Sequence, residues 1–242
     1  SIDPRRRLRG PRYQSWSAGL EQRLPGNLLA RADWLRKRGA GGFTYANILD
    51  SAASPDVDAI YELANARRDE IDSASVTVRK SYANQYEWMA SYTHARARSN
   101  AVVDVTIDDP IIVTTNVGPM PWDSPHRLLS WGYLPTGRKH WALAYLVEGR
   151  TGFPFSIQDD AGRLLGDVNS FRFPAVFEAN LHLERKFRMT GHLWAFRFGS
   201  NNVTGRRNPT TVNNNTASSR YLTYYGGSGR TFNFRIRWLG RN

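Results

Sequence analysis

The stretch TFNFRIRW, residues 231–238, alternates two chemistries without a break. Phe232, Phe234, Ile236 and Trp238 hold the even positions; Thr231, Asn233, Arg235 and Arg237 hold the odd ones. Successive side chains of an extended strand point to opposite faces. One face is therefore apolar and aromatic, and the other polar and cationic. A sheet built this way needs an oily environment on one side and water on the other.

The pattern recurs upstream. Ala175, Phe177, Ala179, Leu181 and Leu183 oppose Glu178, Asn180, His182, Glu184 and Lys186. Trp194, Phe196 and Phe198 oppose Ala195, Arg197 and Gly199. Trp141, Leu143, Tyr145 and Val147 alternate with Ala142, Ala144, Leu146 and Glu148; Leu28, Ala30, Ala32 and Trp34 alternate with Leu29, Arg31, Asp33 and Leu35. A weaker contrast sets Tyr86, Trp88, Ala90 and Tyr92 against Glu87, Met89, Ser91 and Thr93. Strict alternation argues for half-buried strands over helices. It predicts nine strands, at about 12–24, 27–38, 70–82, 86–98, 126–135, 140–155, 175–189, 192–203 and 230–239.

Four of the predicted connections are short: Leu24–Asn27, Ala83–Gln85, Thr136–Lys139 and Thr190–His192. Gly and Asn in them supply the backbone angles of tight hairpins. The turns recur at near-constant spacing, and long polar connections separate one hairpin from the next. Residues 40–70, with a helical or strand-extending stretch at 56–70, form one of these. Short turns on one rim and long loops on the other is the layout of a membrane β-barrel; a soluble sandwich has shorter strands and no such asymmetry. Tyr86, Trp88, Trp141 and Trp194 follow short turns closely, and Trp238 lies near the chain's end. These five are the candidate aromatic girdle at the headgroup boundary.

In hydrocarbon every backbone group must be paired within the protein, so the sheet must close. Nine is an odd count, whereas bacterial single-chain barrels have even ones. The expected fold is thus all-β: an antiparallel up-and-down transmembrane β-barrel segment of about nine strands from a larger barrel, with short periplasmic turns and long extracellular loops. All 242 residues read as one domain, the C-terminal part of that barrel. The chain starts Ser-Ile-Asp-Pro, without methionine or signal peptide, and reads as a cut or processed end.

Composition agrees. The net charge is +12, which calls for an anionic partner or many cations lining water. There is no cysteine, which excludes disulfides, thiolate metal sites and cysteine nucleophiles. The five histidines form no metal-ligand spacing, and neither a G-x-S-x-G elbow nor a P-loop occurs. No catalytic, metal-binding or cofactor-binding residue is assigned, and the chain reads as a non-enzyme.

Several segments carry a family likeness. They are Gly152-Phe153-Pro154-Phe155-Ser156, Arg172-Phe173-Pro174, residues 180–187, Phe198-Gly199-Ser200-Asn201-Asn202-Val203-Thr204, Arg207-Asn208-Pro209 and residues 232–237. In order and spacing they resemble the C-terminal barrel of TonB-dependent outer-membrane receptors, in the subgroup with an N-terminal carboxypeptidase-regulatory-like domain. The resemblance implies a 22-stranded barrel in the outer membrane of a Gram-negative-type cell, occluded by an N-terminal plug. It implies import of a scarce ligand, such as an iron chelate, cobalamin or a glycan, driven by the inner-membrane proton gradient through the TonB complex. Its partners would be outer-membrane lipid, the plug, the remaining barrel strands and the TonB complex. The plug, the TonB-contacting box and about half the strands have no counterpart in this sequence. The end, Leu239-Gly240-Arg241-Asn242 after Trp238, departs from the terminal aromatic of such barrels.

Within this reading, Arg31, Arg197, Arg235, Arg237, His182 and Glu184 are lumen-facing candidates. Asp104, Asp108, Asp109 and Asp123 are loop candidates for ligand contact. Two rivals stand beside it. One is a soluble basic β protein that binds nucleic acid, with aromatics and arginines on one face. The other is a structural barrel or adhesin without transport. The opposite faces of residues 231–238 count against nucleic acid.

Overall fold

The computed structural model of the protein describes residues 8–47, 61–101 and 117–241. Nine long strands make one antiparallel sheet in which each strand lies beside its neighbours in sequence. They are β1 (Arg12–Leu24), β2 (Leu28–Asn47), β3 (Tyr61–Ser81), β4 (Glu87–Ser99), β5 (His126–Pro135), β6 (Trp141–Arg150), β7 (Val176–Met189), β8 (His192–Asn201) and β9 (Thr231–Arg241). The expected up-and-down order holds throughout, and no α-helix occurs among the described residues.

The hairpins close where turn chemistry allows. Thr190 and Gly191 both have positive φ, 52° and 74°, as a two-residue type I′ turn requires. Gly26 and Asn27 also have positive φ, 78° and 58°, in the three-residue loop that joins β1 to β2. Between β3 and β4 a 3-10 turn, Ala83–Gln85, makes the reversal.

β2 and β3 run well past the predicted ends at 38 and 70, and β6 stops at Arg150 instead of 155. The added length pairs Thr44 with Ala64 and Asn47 with Tyr61, after bulges around Gly42. Here both faces of the hairpin see water, so the hydrophobic alternation that marks a strand fades.

Register carries the two chemistries unbroken across the sheet. One face aligns Ala32, Val76, Tyr92 and Leu128 on consecutive strands. Farther along it aligns Tyr145, Leu181, Ser200 and Phe232. This face is open: Phe234 is 77 % exposed, Phe232 68 % and Val76 53 %. Among the described residues no second layer covers them. The buried residues lie elsewhere: small side chains and Glu184 on the opposite face of the wall, such as Ala97, Ala142 and Ala195, and Met120, Asp123, Ile157, Val168, Asn169 and Asn202 in the connections at the long-loop rim. A globular protein keeps its large hydrophobics inside; this sheet displays them along one face, as a wall against an apolar medium does.

Candidate functional site

The opposite face of the wall is polar and internally paired. On β7, Glu184 is 3 % exposed. Its Oε1 accepts a hydrogen bond from the Tyr133 hydroxyl of β5 at 3.0 Å, and its Oε2 accepts one from Arg237 of β9 at 2.7 Å. Arg197 lies directly across from Glu184 on β8. His182 shares a 2.9 Å hydrogen bond with Asn233. Arg31 is bound through Nε to the Asp33 carboxylate at 2.8 Å, on the same face. Arg235 pairs in register with Arg197. All six lumen-facing candidates therefore occupy the polar face, and Arg197, Arg237, His182 and Glu184 gather on β7–β9 while Arg31 stands apart on β2. Nearer the long-loop end, Tyr13 stacks over Gly39, where its ring leaves no room for a Cβ, and donates to Asp69 at 3.3 Å.

The described parts of the long connections, within 117–125, 151–175 and 202–230, fold into one interlocked layer at the far rim. Asp123 is 2 % exposed. Its carboxylate accepts from the backbone of Ala97 at 2.6 Å and pairs with Arg172, whose Nη1 also donates to the Gly152 carbonyl at 3.2 Å. Asn169 Nδ2 donates to the Pro119 carbonyl at 2.7 Å. Phe155 packs against Phe171, Phe173 and Tyr224. Asn214 donates to the Ser156 carbonyl at 2.8 Å. Asn202 ties its own loop by donating to the carbonyls of Arg206 and Ser228. Asp159 accepts from the backbone and guanidinium of Arg163 and from the Ala161 N–H. The Arg163 N–H foremost, then its guanidinium, holds the Asp159 carboxyl below the usual carboxylate range.

Two cavities open under this layer on the polar side. One, of about 370 Å³, is bordered by Trp122, Arg127, Glu148, Arg150 and Phe153. The other, of about 610 Å³, is bordered by Arg150, Glu178, Asn201, Asn208, Thr210 and Thr231. Arg150 stands between them. Its guanidinium lies 3.9 Å above the Phe153 ring centroid, and its Nη1 is buried with no hydrogen-bond partner. The clefts offer guanidinium, amide, hydroxyl and carboxylate groups in fixed positions, a set suited to holding a polar ligand by hydrogen bonds. Among the described residues no group of three or more His, Asp or Glu could hold a metal ion.

Two candidate roles need correction. Asp123 is not a free loop carboxylate: it is buried, and its oxygens are taken by Arg172 and Ala97. Tyr86 does not join the apolar-face aromatics. The 3-10 turn breaks the alternation before β4, and the Tyr86 ring stacks on Tyr133 at 5.3 Å, on the polar face. Tyr82 stands near Trp88 instead and accepts its indole N–H at 3.2 Å. Trp88, Trp141, Trp194 and Trp238 lie on the apolar face beside the short-turn rim. Asp104, Asp108 and Asp109 lie outside the described residues. Tyr133, Arg150 and Arg172 were not singled out. Arg172 had a signal, since it opens one of the recurrent segments; Tyr133 and Arg150 sit at ordinary wall positions.

Comparison with known proteins adds the family. The family described as outer membrane beta barrel domain matches residues 1–167. No curated protein matches. Among solved structures, the sheet is similar to the outer membrane transporter YddB from Escherichia coli, at TM-score 0.64 and 14 % identity, over 95 % of this chain and 32 % of that one. It is similar to the ferric-catecholate import receptor Fiu from E. coli K12, at TM-score 0.63 and 15 % identity, over 95 % of this chain and 27 % of Fiu. It is also similar to a chain of the FpvAI–pyocin S2 complex, at 0.63 and 14 %, over 96 % of this chain and 28 % of that one. The chain thus spans about a third of the length of these structures or less.

Proposed function

Because the chain belongs to the outer membrane β-barrel domain family, and so to the outer membrane, we propose that it forms the C-terminal wall and ligand-capturing loops of a TonB-dependent receptor. The observation that carries this is the division of one sheet of nine long strands into an exposed apolar face and a paired polar face, with the described long loops locked together on one rim. In this reading the apolar face meets lipid, and Trp88, Trp141, Trp194 and Trp238 sit at the inner headgroup boundary. The polar face, with the Glu184 cluster and Arg31–Asp33, surrounds a plug supplied by the rest of the protein, together with the remaining barrel strands.

The two rim cavities and Arg150 capture the ligand, joined by Asp104, Asp108 and Asp109 of the β4–β5 connection. A ligand rich in oxygen, such as an iron chelate or a glycan, suits these donors. The wall performs no covalent step; the inner-membrane proton gradient, acting through the TonB complex, moves the plug and releases the ligand inward. This replaces the soluble nucleic-acid reading, against which β9 sets its aromatics and arginines on opposite faces. It leaves the structural barrel or adhesin as the competitor.

Two measurements test it. The gene encoding this chain should also encode a plug domain upstream of Ser1; an independent start directly before Ser1 would end the fragment reading. Uptake of the captured ligand by whole cells should stop when the proton gradient is collapsed, while binding persists. Uptake that ignores the gradient, or binding with no uptake, would leave a passive barrel or adhesin.

A further inference from the structure

We propose a second binding site on the outward surface, a cavity above the apolar band that takes the phosphates of an outer-leaflet lipid headgroup. The outward face of β2–β4 changes character at one level. Trp34, Ala74, His94 and His126 form a register row, and below it the face is mostly apolar. The next row up is Arg36, Asp72 and Arg96; the next is Arg38, Glu70 and Arg98; Arg68 and Arg12 flank Ala40 above that.

Six arginines here face two carboxylates, and both carboxylates are used on one side. Asp72 pairs with Arg38 at 3.0 Å and Arg36 at 3.6 Å, and Glu70 lies 3.8 Å from Arg38. Arg12, Arg68 and Arg96 have no ion pair among the described residues. Arg98 donates from Nη2 to the Val117 carbonyl at 3.3 Å, while its Nε is buried with no partner.

The unneutralised side holds the cavity. It measures about 340 Å³ and is bordered by His94, Arg96, Arg98, Pro119 and Pro125. Asp123 and Arg172 also border it, but they satisfy each other. Arg96 and Arg98 are two residues apart on one strand, so their guanidinium stems start roughly 7 Å from each other on the same face. Guanidinium groups bind phosphate through paired N–H donors. Arg96 and Arg98 stand eight and ten residues above Trp88 on β4, roughly 20–25 Å at the usual strand tilt, which is the height of the apolar band. The row of Trp34 and His126 lies just beneath, with Tyr92 one row lower, and Tyr92 and His126 share a 2.8 Å hydrogen bond. A cationic cavity one step above that row sits at the depth of headgroup phosphates. Basic pockets at this level bind anionic headgroups in other membrane proteins. The site is separate from the rim cavities, and its occupant is lipid.

The test uses the whole protein encoded by the gene, purified in neutral detergent. Titration with a bisphosphorylated lipid A should give saturable binding that is lost when the lipid is dephosphorylated. Inorganic phosphate at matched concentration should not displace it. The double variant Arg96→Gln/Arg98→Gln should weaken binding about tenfold or more, whereas Arg23→Gln, at the short-turn rim, should leave it unchanged. Equal binding of the dephosphorylated lipid, full displacement by inorganic phosphate, or equal loss in the Arg23 variant would overturn the proposal. The first two comparisons need only the wild-type protein, so they stand if the double variant does not fold.

Discussion

Exchanging one side chain for arginine at two adjacent positions of β3 tests which face meets lipid. Val76 lies on the apolar face between Ala32 and Tyr92, and is 53 % exposed. Ser75 lies on the polar face between Asp33 and Thr93. Val76 is four residues from Lys80, which pairs with Trp88 beside the short turn. At ~3.3 Å per residue and a tilt of ~40°, it stands about 10 Å above that level. The apolar band of such a barrel is ~25 Å tall, so Val76 is close to the midplane. Arginine on the lipid face there costs about 2–4 kcal/mol. That is a thirty- to several-hundred-fold loss in the folding equilibrium, by the rule of about 1.4 kcal/mol per tenfold. Ser75→Arg puts the same charge beside the Asp33 carboxylate, in water, and costs less than about 1 kcal/mol. The assay is urea-dependent folding into phosphatidylcholine vesicles, read by tryptophan fluorescence and by the heat-sensitive mobility of folded barrels. If Ser75→Arg proves the more damaging, or if Val76→Arg folds as well as wild type, the apolar face does not touch acyl chains and the membrane reading fails.

Other expectations follow from single contacts. Glu184→Gln leaves Arg237 without its carboxylate and should cost about 1–3 kcal/mol in the same unfolding assay; the half-exposed Arg237 keeps the loss below that of a fully buried pair. Tyr133→Phe should cost about 1 kcal/mol. Gly152→Ala places a Cβ 1.9 Å from the Phe173 carbonyl oxygen. It should loosen the rim loops by about 1–3 kcal/mol, seen as faster proteolysis within 152–174, while vesicle folding of the wall is unchanged. Asp159 has a depressed carboxyl pKa in the folded turn, so its contribution is present above the ordinary carboxylate pKa and is lost as pH falls below about 4. Amide protection at Ala161 and Arg163 should drop across that window, and Asp159→Asn should abolish the pH dependence.

How far the sequence could be read depended on where each residue meets its solvent. Between the short turns and the row of Trp34 and His94, the two faces of each strand see lipid and water. Physical chemistry there forces alternation, and all nine strands, their order and their hairpins were legible from it. Above that row both faces see water and nothing forces alternation; the extension of β2 could not be read, and that of β3 stood only as one of two alternatives, helix or strand, for residues 56–70. The same loss of contrast hid the outward arginines. Arg96 and Arg98 share a strand face with Trp88 and Tyr92, and only the register beside Asp72 and Glu70 reveals which of them go unneutralised. The polar-face cluster was half legible: alternation put Glu184 and Arg237 on the correct face, but no local pattern says that β5 and β9, each two strands from β7, would bring Tyr133 and Arg237 to the same carboxylate. Tyr86 went astray because one 3-10 turn shifts the alternation by a residue, and a one-residue slip moves a side chain to the other face. The rim follows a different logic again. The segments Gly152–Ser156 and Arg172–Pro174, which carry the family likeness, meet in space: Pro154 pairs with Arg172, and Gly152 leaves room for the Phe173 carbonyl. Asp123 then completes the joint from the β4–β5 connection. These positions are constrained by packing among loops, so they advertise the family before they advertise a ligand. Two guanidinium nitrogens left without a hydrogen bond after that packing, Arg150 Nη1 at the rim and Arg98 Nε on the outside, mark where binding partners should be sought.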